Sequence, residues 1–177
     1  MENDDVIITS AFRTAIGSFN GSLSSKTAPE LGSTVIKKCI ENSELKKEEV
    51  DMVYMGQVLT AGAGQNPARQ ASILAGLPHE TTNTTVNQVC GSGLRSIAAG
   101  YQSIMSNDSK VIIAGGQESM TNAPHAIYFR NGKKLDEANL VDTMIKDGLW
   151  DAFNGYHMGV TAENVAAKWQ ITREDQD

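Results

Sequence analysis

The sequence is short of cysteine, of basic charge and of long apolar runs, and each shortage excludes a class of protein. Its two cysteines, Cys39 and Cys90, lie far apart with no CxxC pair or Cys/His cluster, which argues against a disulfide framework or a structural zinc site and fits a reducing compartment. The formal net charge of −6 argues against nucleic acid or an anionic membrane surface as the main partner. No apolar run approaches the length of a membrane span, and the acidic N-terminus is unlike a signal peptide, so we expect a cytoplasmic protein.

Apolar and polar segments alternate along the 177 residues in the order expected of an α/β protein. Strands are predicted at 6–12, at 50–59, in the segment leading to Cys90, and at 110–116. Helices are predicted at 29–42, at 68–75, from the residues after Cys90 to about Ser106, and from Thr161, with a further helix beginning at Thr172. Strands separated by helices predict a mostly parallel sheet that is covered on both faces.

Cys90 lies where a predicted strand gives way to a predicted helix, in TTVNQVCGSGLRS. A thiol at a helix N-terminus lies near free N–H groups and the positive end of the helix dipole, which favour the nucleophilic thiolate. Gly91 and Gly93 would leave such a thiol open to a substrate. The alternative is a buried cysteine that packs as a small apolar side chain. Spacing alone leaves both interpretations open.

The other candidate residues give weaker indications. The segment GAGQNP begins like a dinucleotide-binding fingerprint, but Pro67 stands where the third glycine should be, so we reject nucleotide binding there. Cys39 lies in an amphipathic helix and is expected to pack in the core. His79 and His125 are expected to be solvated or structural. His157 lies between glycines in GYHMG, which favours a position at a pocket.

Five segments, in order along the chain, resemble the N-terminal half of a thiolase of the acetyl-CoA acetyltransferase type. They are GQNPARQA, NQVCGSGLRS, AGGQESM, DTMIKDGL and YHMGVTAENVA, and the resemblance runs from VIITSAFRTAIGSFNG to the last residue. It implies two similar α/β halves, each with a mixed, mostly parallel five-stranded sheet and helices on both faces. Residues 1–119 would form the N-terminal core domain and residues 120–177 the beginning of an inserted loop domain, so the chain looks truncated.

The resemblance also implies an activity and a site. The activity is Claisen condensation of two acetyl-CoA molecules to acetoacetyl-CoA and CoA, or the reverse thiolysis, within fatty acid metabolism. Cys90 matches the nucleophile that carries the acyl group, and its backbone N–H resembles one donor of the oxyanion hole. Leu149, His157 and Met158 match positions that line the CoA and acyl pocket. Coenzyme A thioesters are the substrates, and no metal or other cofactor is implied.

Other expectations concern partners and alternatives. In the family a histidine and a second cysteine from the second half transfer the protons; Cys39 does not fit that cysteine, so we expect the chain alone to be inactive. The resemblance implies a homotetramer, a dimer of dimers, with GQNPARQ near the dimer contact and the 120s to 130s in the tetramer contact. The alternatives are a noncatalytic thiolase-like fragment that binds a partner subunit or CoA, and a longer-chain 3-ketoacyl-CoA thiolase. A carrier-protein-dependent condensing enzyme is disfavoured by QVCGSG and YHMG.

Overall fold

A computed structural model describes residues 5–130, 132 and 139–177 of the chain. They form two compact units, Met1–Ala123 and Pro124–Asp177. Our assignment of the later residues to a loop domain stays a prediction. Part of the segment expected in a tetramer contact, residues 131 and 133–138, lies outside the described residues. Among the helices that the structure describes, none has the length and apolar character needed to cross a membrane.

The first unit is built on a parallel sheet of three strands. They are β1 (Met52–Gly56), β2 (Thr82–Val86) and β3 (Ile112–Gly116), in the order β2-β1-β3. Gly56 at the end of β1 pairs with Val86 on one side and with Gly116 on the other. The carboxyl ends of all three strands therefore meet at one edge of the sheet, and the segments that follow them lie together there.

The α/β class is confirmed, but the described residues contain three of the five strands that the resemblance implied. The strand predicted at 6–12 is wrong, because that segment is irregular and Ile7 and Ile8 are 74% and 77% exposed. An apolar run indicates a tendency to be buried, but a strand also needs a neighbour whose backbone groups are free to pair. In the described residues this segment has no such neighbour.

Two helices cover one face of the sheet. They are α1 (Ala28–Ser43) and α2 (Pro67–Ala75), close to the predicted ranges 29–42 and 68–75. Side chains alternate along a strand, so Val53 and Met55 of β1 point to this face and pack with Ile36 and Ile40 of α1. Thr27 and Glu30 cap the start of α1, and α2 ends at Gly76, as predicted.

Helix α3 (Ser92–Met105) covers the other face, and its sheet-facing side is made of small residues. Those buried residues are Ser92, Ser96, Gly100 and Ser103. A methyl group on Gly100 would lie 3.2 Å from Cγ2 of Ile112, so the helix approaches the sheet closely. The apolar residues of α3 are on its outer side, which this chain leaves exposed: Leu94, Ile97, Tyr101 and Met105.

The second unit holds short elements. A two-stranded antiparallel sheet joins β4 (His125–Ala126) to β5 (Val141–Asp142), and a π-helix follows at Met144–Leu149. Helix α4 spans Met158–Trp169 and α5 spans Arg173–Gln176. The helix predicted from Thr161 in fact begins three positions earlier, because His157 rather than Thr161 provides the cap. The start predicted at Thr172 is confirmed, since its side chain accepts the N–H of Asp175.

Candidate active site

Cys90 lies in the turn that joins β2 to α3, as the sequence predicted. Strand β2 ends at Val86 and α3 begins at Ser92, so the cysteine lies between the last strand residue and the first helix residue. Its side chain is free and exposed, whereas Cys39 in α1 is free and only partly exposed. An exposed residue does not pack in the core, so Cys90 is not the buried apolar side chain of the alternative interpretation.

The turn before Cys90 is held by side chains. Val89 has a φ angle of 49°, in the left-handed region that β-branched residues rarely adopt. Oδ1 of Asn87 accepts the N–H of Val89 at 2.9 Å. Oγ of Ser92 accepts the N–H of Gln88 at 2.9 Å and donates to the carbonyl oxygen of Val89 at 2.6 Å. Enzymes commonly present a nucleophile on a sharp strand-to-helix turn of this kind.

Glycines allow α3 to begin directly against the ends of the strands. A methyl group on Gly56, the last residue of β1, would lie 2.5 Å from the carbonyl carbon of Ser92. A methyl group on Gly116, the last residue of β3, would lie 3.3 Å from Cα of Gly93. Within the described residues no side chain caps α3. The N–H of Ser92 donates to the carbonyl oxygen of Val89 at 3.1 Å, and the positive end of the helix dipole lies toward the segment that carries Cys90.

A buried polar cluster lies behind the same sheet edge and was missed by the sequence analysis. Nε2 of Gln117 donates to Oε1 of Gln57 at 2.9 Å and to the carbonyl oxygen of Pro67 at 3.1 Å. The Glu118 carboxylate accepts the N–H groups of Val58 at 2.8 Å and Leu59 at 3.1 Å. Burial raises the pKa of Glu118, and these two hydrogen bonds oppose the increase. One feature of the sequence could have indicated this cluster: the polar residues QES directly follow the strand predicted at 110–116.

The GQNP segment has a structural role in the described chain. Asn66 caps α2, since its Oδ1 accepts the N–H of Arg69 at 3.2 Å, and Pro67 is the first helical residue. Beside the segment is an open cleft of about 540 Å³. Its lining residues are Gln57, Thr60, Gly64, Asn66, Pro67, Asn83, Thr84, Thr85 and Asn87.

The other three predicted site residues belong to the second unit, where the chain brings them close to one another. Leu149 ends the π-helix, and Met158 begins α4. Trp150 and His157 pair across an antiparallel bridge, so the segment between them is a closed loop. Leu149, His157 and Met158 are all half-buried. The structure therefore groups these three residues at the base of that loop.

The ring of His157 has a defined hydrogen-bonding role. Its Nδ1 accepts the N–H of Gly159 at 2.9 Å and so caps α4. A neutral imidazole that accepts at Nδ1 carries its proton on Nε2, which is then a donor. The residues that the structure describes include no group of three or more His, Cys, Asp or Glu arranged to hold a metal ion.

Comparisons with known proteins agree with the motifs. Residues 6–177 match the family described as the N-terminal domain of thiolase. The acetyl-CoA acetyltransferase of Rhizobium meliloti is 58% identical over 177 residues, which is 100% of this chain and 45% of that protein. The acetyl-CoA acetyltransferase of Cupriavidus necator is 56% identical over 174 residues, 98% of this chain and 44% of that protein. A rat protein named acetyl-CoA acetyltransferase, cytosolic, is 51% identical over 175 residues, 99% of this chain and 44% of that protein.

The chain spans a little less than half the length of these curated relatives. The family match nevertheless covers nearly every residue of the chain, including the turn at Cys90 and the loop at His157. The chain therefore belongs to the thiolase family, within the N-terminal domain of that family.

Proposed function

We propose that the intact protein is an acetyl-CoA acetyltransferase and that this chain supplies its nucleophile, Cys90. The observation that carries the proposal is the exposed thiol on a hydrogen-bonded turn directly before α3. The names of relatives that are more than half identical over the whole chain support the choice of acetyl-CoA as the substrate.

The reaction has two steps. In the first, the Cys90 thiolate attacks the thioester carbonyl of acetyl-CoA, the carbon–sulfur bond to CoA breaks, and the CoA thiolate leaves with a proton. In the second, another acetyl-CoA loses a proton from its methyl group, and the carbanion attacks the acetyl-cysteine carbonyl. Acetoacetyl-CoA forms and Cys90 is released. Exchange of an acyl group between two sulfurs is nearly isoenergetic, so the covalent intermediate divides a difficult reaction into two easier ones.

The start of α3 is suited to stabilise the negative charge that develops on the carbonyl oxygen in both steps. Each tetrahedral intermediate carries a negative oxygen derived from the carbonyl attached to Cys90. Backbone N–H groups at a helix start stabilise such an oxyanion because they are already oriented and need no rearrangement. We infer that the N–H of Cys90 is one of these donors.

The second unit would contribute substrate contacts. We infer that Leu149, His157 and Met158 line the CoA and acyl pocket. Because Nδ1 of His157 is occupied by the N–H of Gly159, its Nε2–H is the group available to a ligand. A donor in this position can bind a carbonyl or amide oxygen of the acyl-CoA. It is unsuited to act as a base, because a base must accept a proton.

The remaining expectations belong to the intact protein. We infer that the proton-transfer groups come from residues outside this chain and that the enzyme is a homotetramer acting on CoA thioesters without another cofactor. Residues 120–177 would begin its loop domain. The name of the rat relative supports a cytoplasmic location.

Mass spectrometry of the intact polypeptide that carries this chain tests the proposal. After incubation with acetyl-CoA alone, we expect one acetyl group on the tryptic peptide 70–95, which contains Cys90, and none on Cys39. Cys90→Ser should abolish both the label and turnover, because serine lacks the acidity of the thiol. Acetylation of Cys39, or turnover without a label at Cys90, would overturn the assignment. Labelling that is faster with a longer acyl-CoA would instead indicate a 3-ketoacyl-CoA thiolase.

A further inference from the structure

Side-chain hydrogen bonds hold the turn before Cys90 in its conformation. Three successive peptide groups lie between Asn87 and Cys90, and a side chain holds each of them. The hydroxyl of Ser92 accepts the N–H of the first, and Oδ1 of Asn87 accepts the N–H of the second. The carbonyl of the third accepts both the hydroxyl of Ser92 at 2.6 Å and its backbone N–H at 3.1 Å. The φ angle of Val89 is one of the two backbone rotations between the second and third peptide groups. These hydrogen bonds therefore hold Val89 in its left-handed conformation, which a valine adopts only where its surroundings enforce it.

Ser92 is itself fixed to the sheet. Its residue is 4% exposed, and its Cβ lies under the end of β1, 2.7 Å from the position that a methyl group on Gly56 would take. The hydroxyl that holds the turn thus belongs to a residue that can move little relative to the strands.

The third peptide group links Val89 to Cys90, so it contains both the carbonyl that Ser92 binds and the N–H of Cys90. In a planar trans peptide the C=O and N–H point in opposite directions. The Ser92 hydroxyl makes the shorter of the two hydrogen bonds to the Val89 carbonyl, so it helps to fix the direction of that carbonyl and hence of the Cys90 N–H. A hydrogen bond at the carbonyl also polarises the peptide and makes its N–H a better donor.

We propose that Ser92 is a positioning residue, whose hydroxyl aims the backbone N–H of Cys90 at the oxyanion formed on the acyl group. This inference rests on the proposed function, since it assigns Ser92 a part in the acylation of Cys90. It goes beyond that function because it assigns Ser92 a role that acts through the peptide groups of the turn, to which its hydroxyl binds.

The test compares two reactions of the same thiol in the intact protein. Acylation by acetyl-CoA passes through an oxyanion, whereas alkylation by iodoacetamide displaces iodide and forms no oxyanion. For Ser92→Ala we expect the acylation rate constant at saturating acetyl-CoA to fall by about 10- to 100-fold. Removal of an oxyanion donor costs about 100- to 1000-fold, and a donor that is misaligned but present should cost less. The alkylation rate should change by no more than about threefold.

Ser96→Ala is the matched control. It also removes a buried serine hydroxyl from α3, one turn further along, but that hydroxyl binds the carbonyl of Ser92 and not the turn at Cys90. We expect both rates in Ser96→Ala to stay within about twofold of the unmodified protein. If Ser92→Ala fails to fold, the Ser92→Ala and Ser96→Ala substitutions are each introduced into a protein that already carries Val89→Asn. Asparagine tolerates the left-handed region, so the turn then needs less support from Ser92.

Each outcome of this comparison tests either the role of Ser92 or the proposed function. Selective loss of acylation in Ser92→Ala supports the proposal. Equal losses of acylation and alkylation would show that Ser92 only holds the thiol in place. An acylation rate equal to that of Ser96→Ala would show that Ser92 has no positioning role. Either result overturns the proposal for Ser92. If the unmodified protein is alkylated at Cys90 but never acylated, the proposed function itself fails, and the two failures are therefore distinguishable.

Discussion

Gly56 and Ser92 are in direct backbone contact, at the point where the central strand ends and helix α3 begins. A methyl group on Gly56 would lie 2.5 Å from the carbonyl carbon of Ser92 and 2.7 Å from the nitrogen of Gly93. Neither atom belongs to a flexible side chain, so neither can move aside alone. The position of the turn that carries Cys90 therefore depends on the absence of a side chain in β1.

Gly56→Ala should consequently shift the start of α3. We expect the free energy of unfolding to fall by about 1–3 kcal/mol, as for other overpacked positions, and the acylation of Cys90 to slow. Gly115→Ala is the control, because it lies in the neighbouring strand and its added methyl would only touch Sδ of Met55 at 3.9 Å. Denaturant unfolding and the acylation rate measure the two effects. Equal stability of the two variants would contradict the packing argument.

Glu118 should make stability depend on pH in an unusual direction. Burial raises the pKa of Glu118 above its ordinary value, so the folded state binds the proton more tightly than the unfolded state. The free energy of unfolding should therefore rise as the pH falls through the raised pKa, until the ordinary glutamate value is reached. Compared with Glu118→Gln, the unmodified protein should gain stability when the pH is lowered from about 7 to about 5.

The comparison between Glu118 and its glutamine variant removes the contribution of the other carboxylates, which both proteins share. Denaturant unfolding at the two pH values gives the difference directly. A constant difference would mean that the Glu118 carboxyl titrates alike in the folded and unfolded chains.

Asp51 should have the opposite dependence. The N–H of Val111 first, and then that of Lys110, lower the pKa of Asp51 by donating to its Oδ2 at 3.0 and 2.7 Å. A lowered pKa contributes stability above the ordinary aspartate value, and that stability is lost as the pH falls through the lowered pKa. At neutral pH we expect Asp51→Asn to lower the free energy of unfolding, because the two N–H groups lose a charged acceptor. The decrease should be only about 1 kcal/mol, because the site is exposed and solvent partly screens the charge.

Unfolding of Asp51→Asn at neutral and strongly acidic pH checks this expectation. The deficit of the variant should shrink in acid, since the unmodified carboxyl is then protonated as well. Asp108→Asn, at another exposed aspartate, should change stability by less than about 0.5 kcal/mol at either pH. A deficit that stays constant in acid would show that the charge of Asp51 is unimportant.

The sequence predicted the parts of this site that local chemistry determines. The helices α1 and α2 have a proline near their starts and a regular apolar spacing, and α2 stops at a glycine, so their bounds were close to those predicted. The joint at Cys90 was predicted because the glycines after it end the strand pattern and a helical pattern follows. These features depend on residues within a few positions of one another.

Other features depend on residues that are distant in sequence and could not be predicted. The inner face of α3 is polar and small because the sheet lies very close to it, and its apolar stripe points away. The left-handed Val89 is maintained by Ser92, a contact that no propensity for valine indicates. The cap at His157 was missed because histidine is an uncommon capping residue, whereas Thr161 is a preferred type.

His157 allows its two roles to be separated experimentally. Both His157→Ala and His157→Asn remove the Nε2–H that we assign to the acyl-CoA, so both should raise the KM for acetyl-CoA while kcat falls much less. Only alanine also removes the acceptor that caps α4, so only His157→Ala should lower the free energy of unfolding, by about 1 kcal/mol. Steady-state kinetics and denaturant unfolding of the intact protein measure both effects. A collapse of kcat at unchanged KM in the well-folded asparagine variant would mean that His157 acts as a base, and the assignment of its Nε2–H as a substrate contact would be wrong.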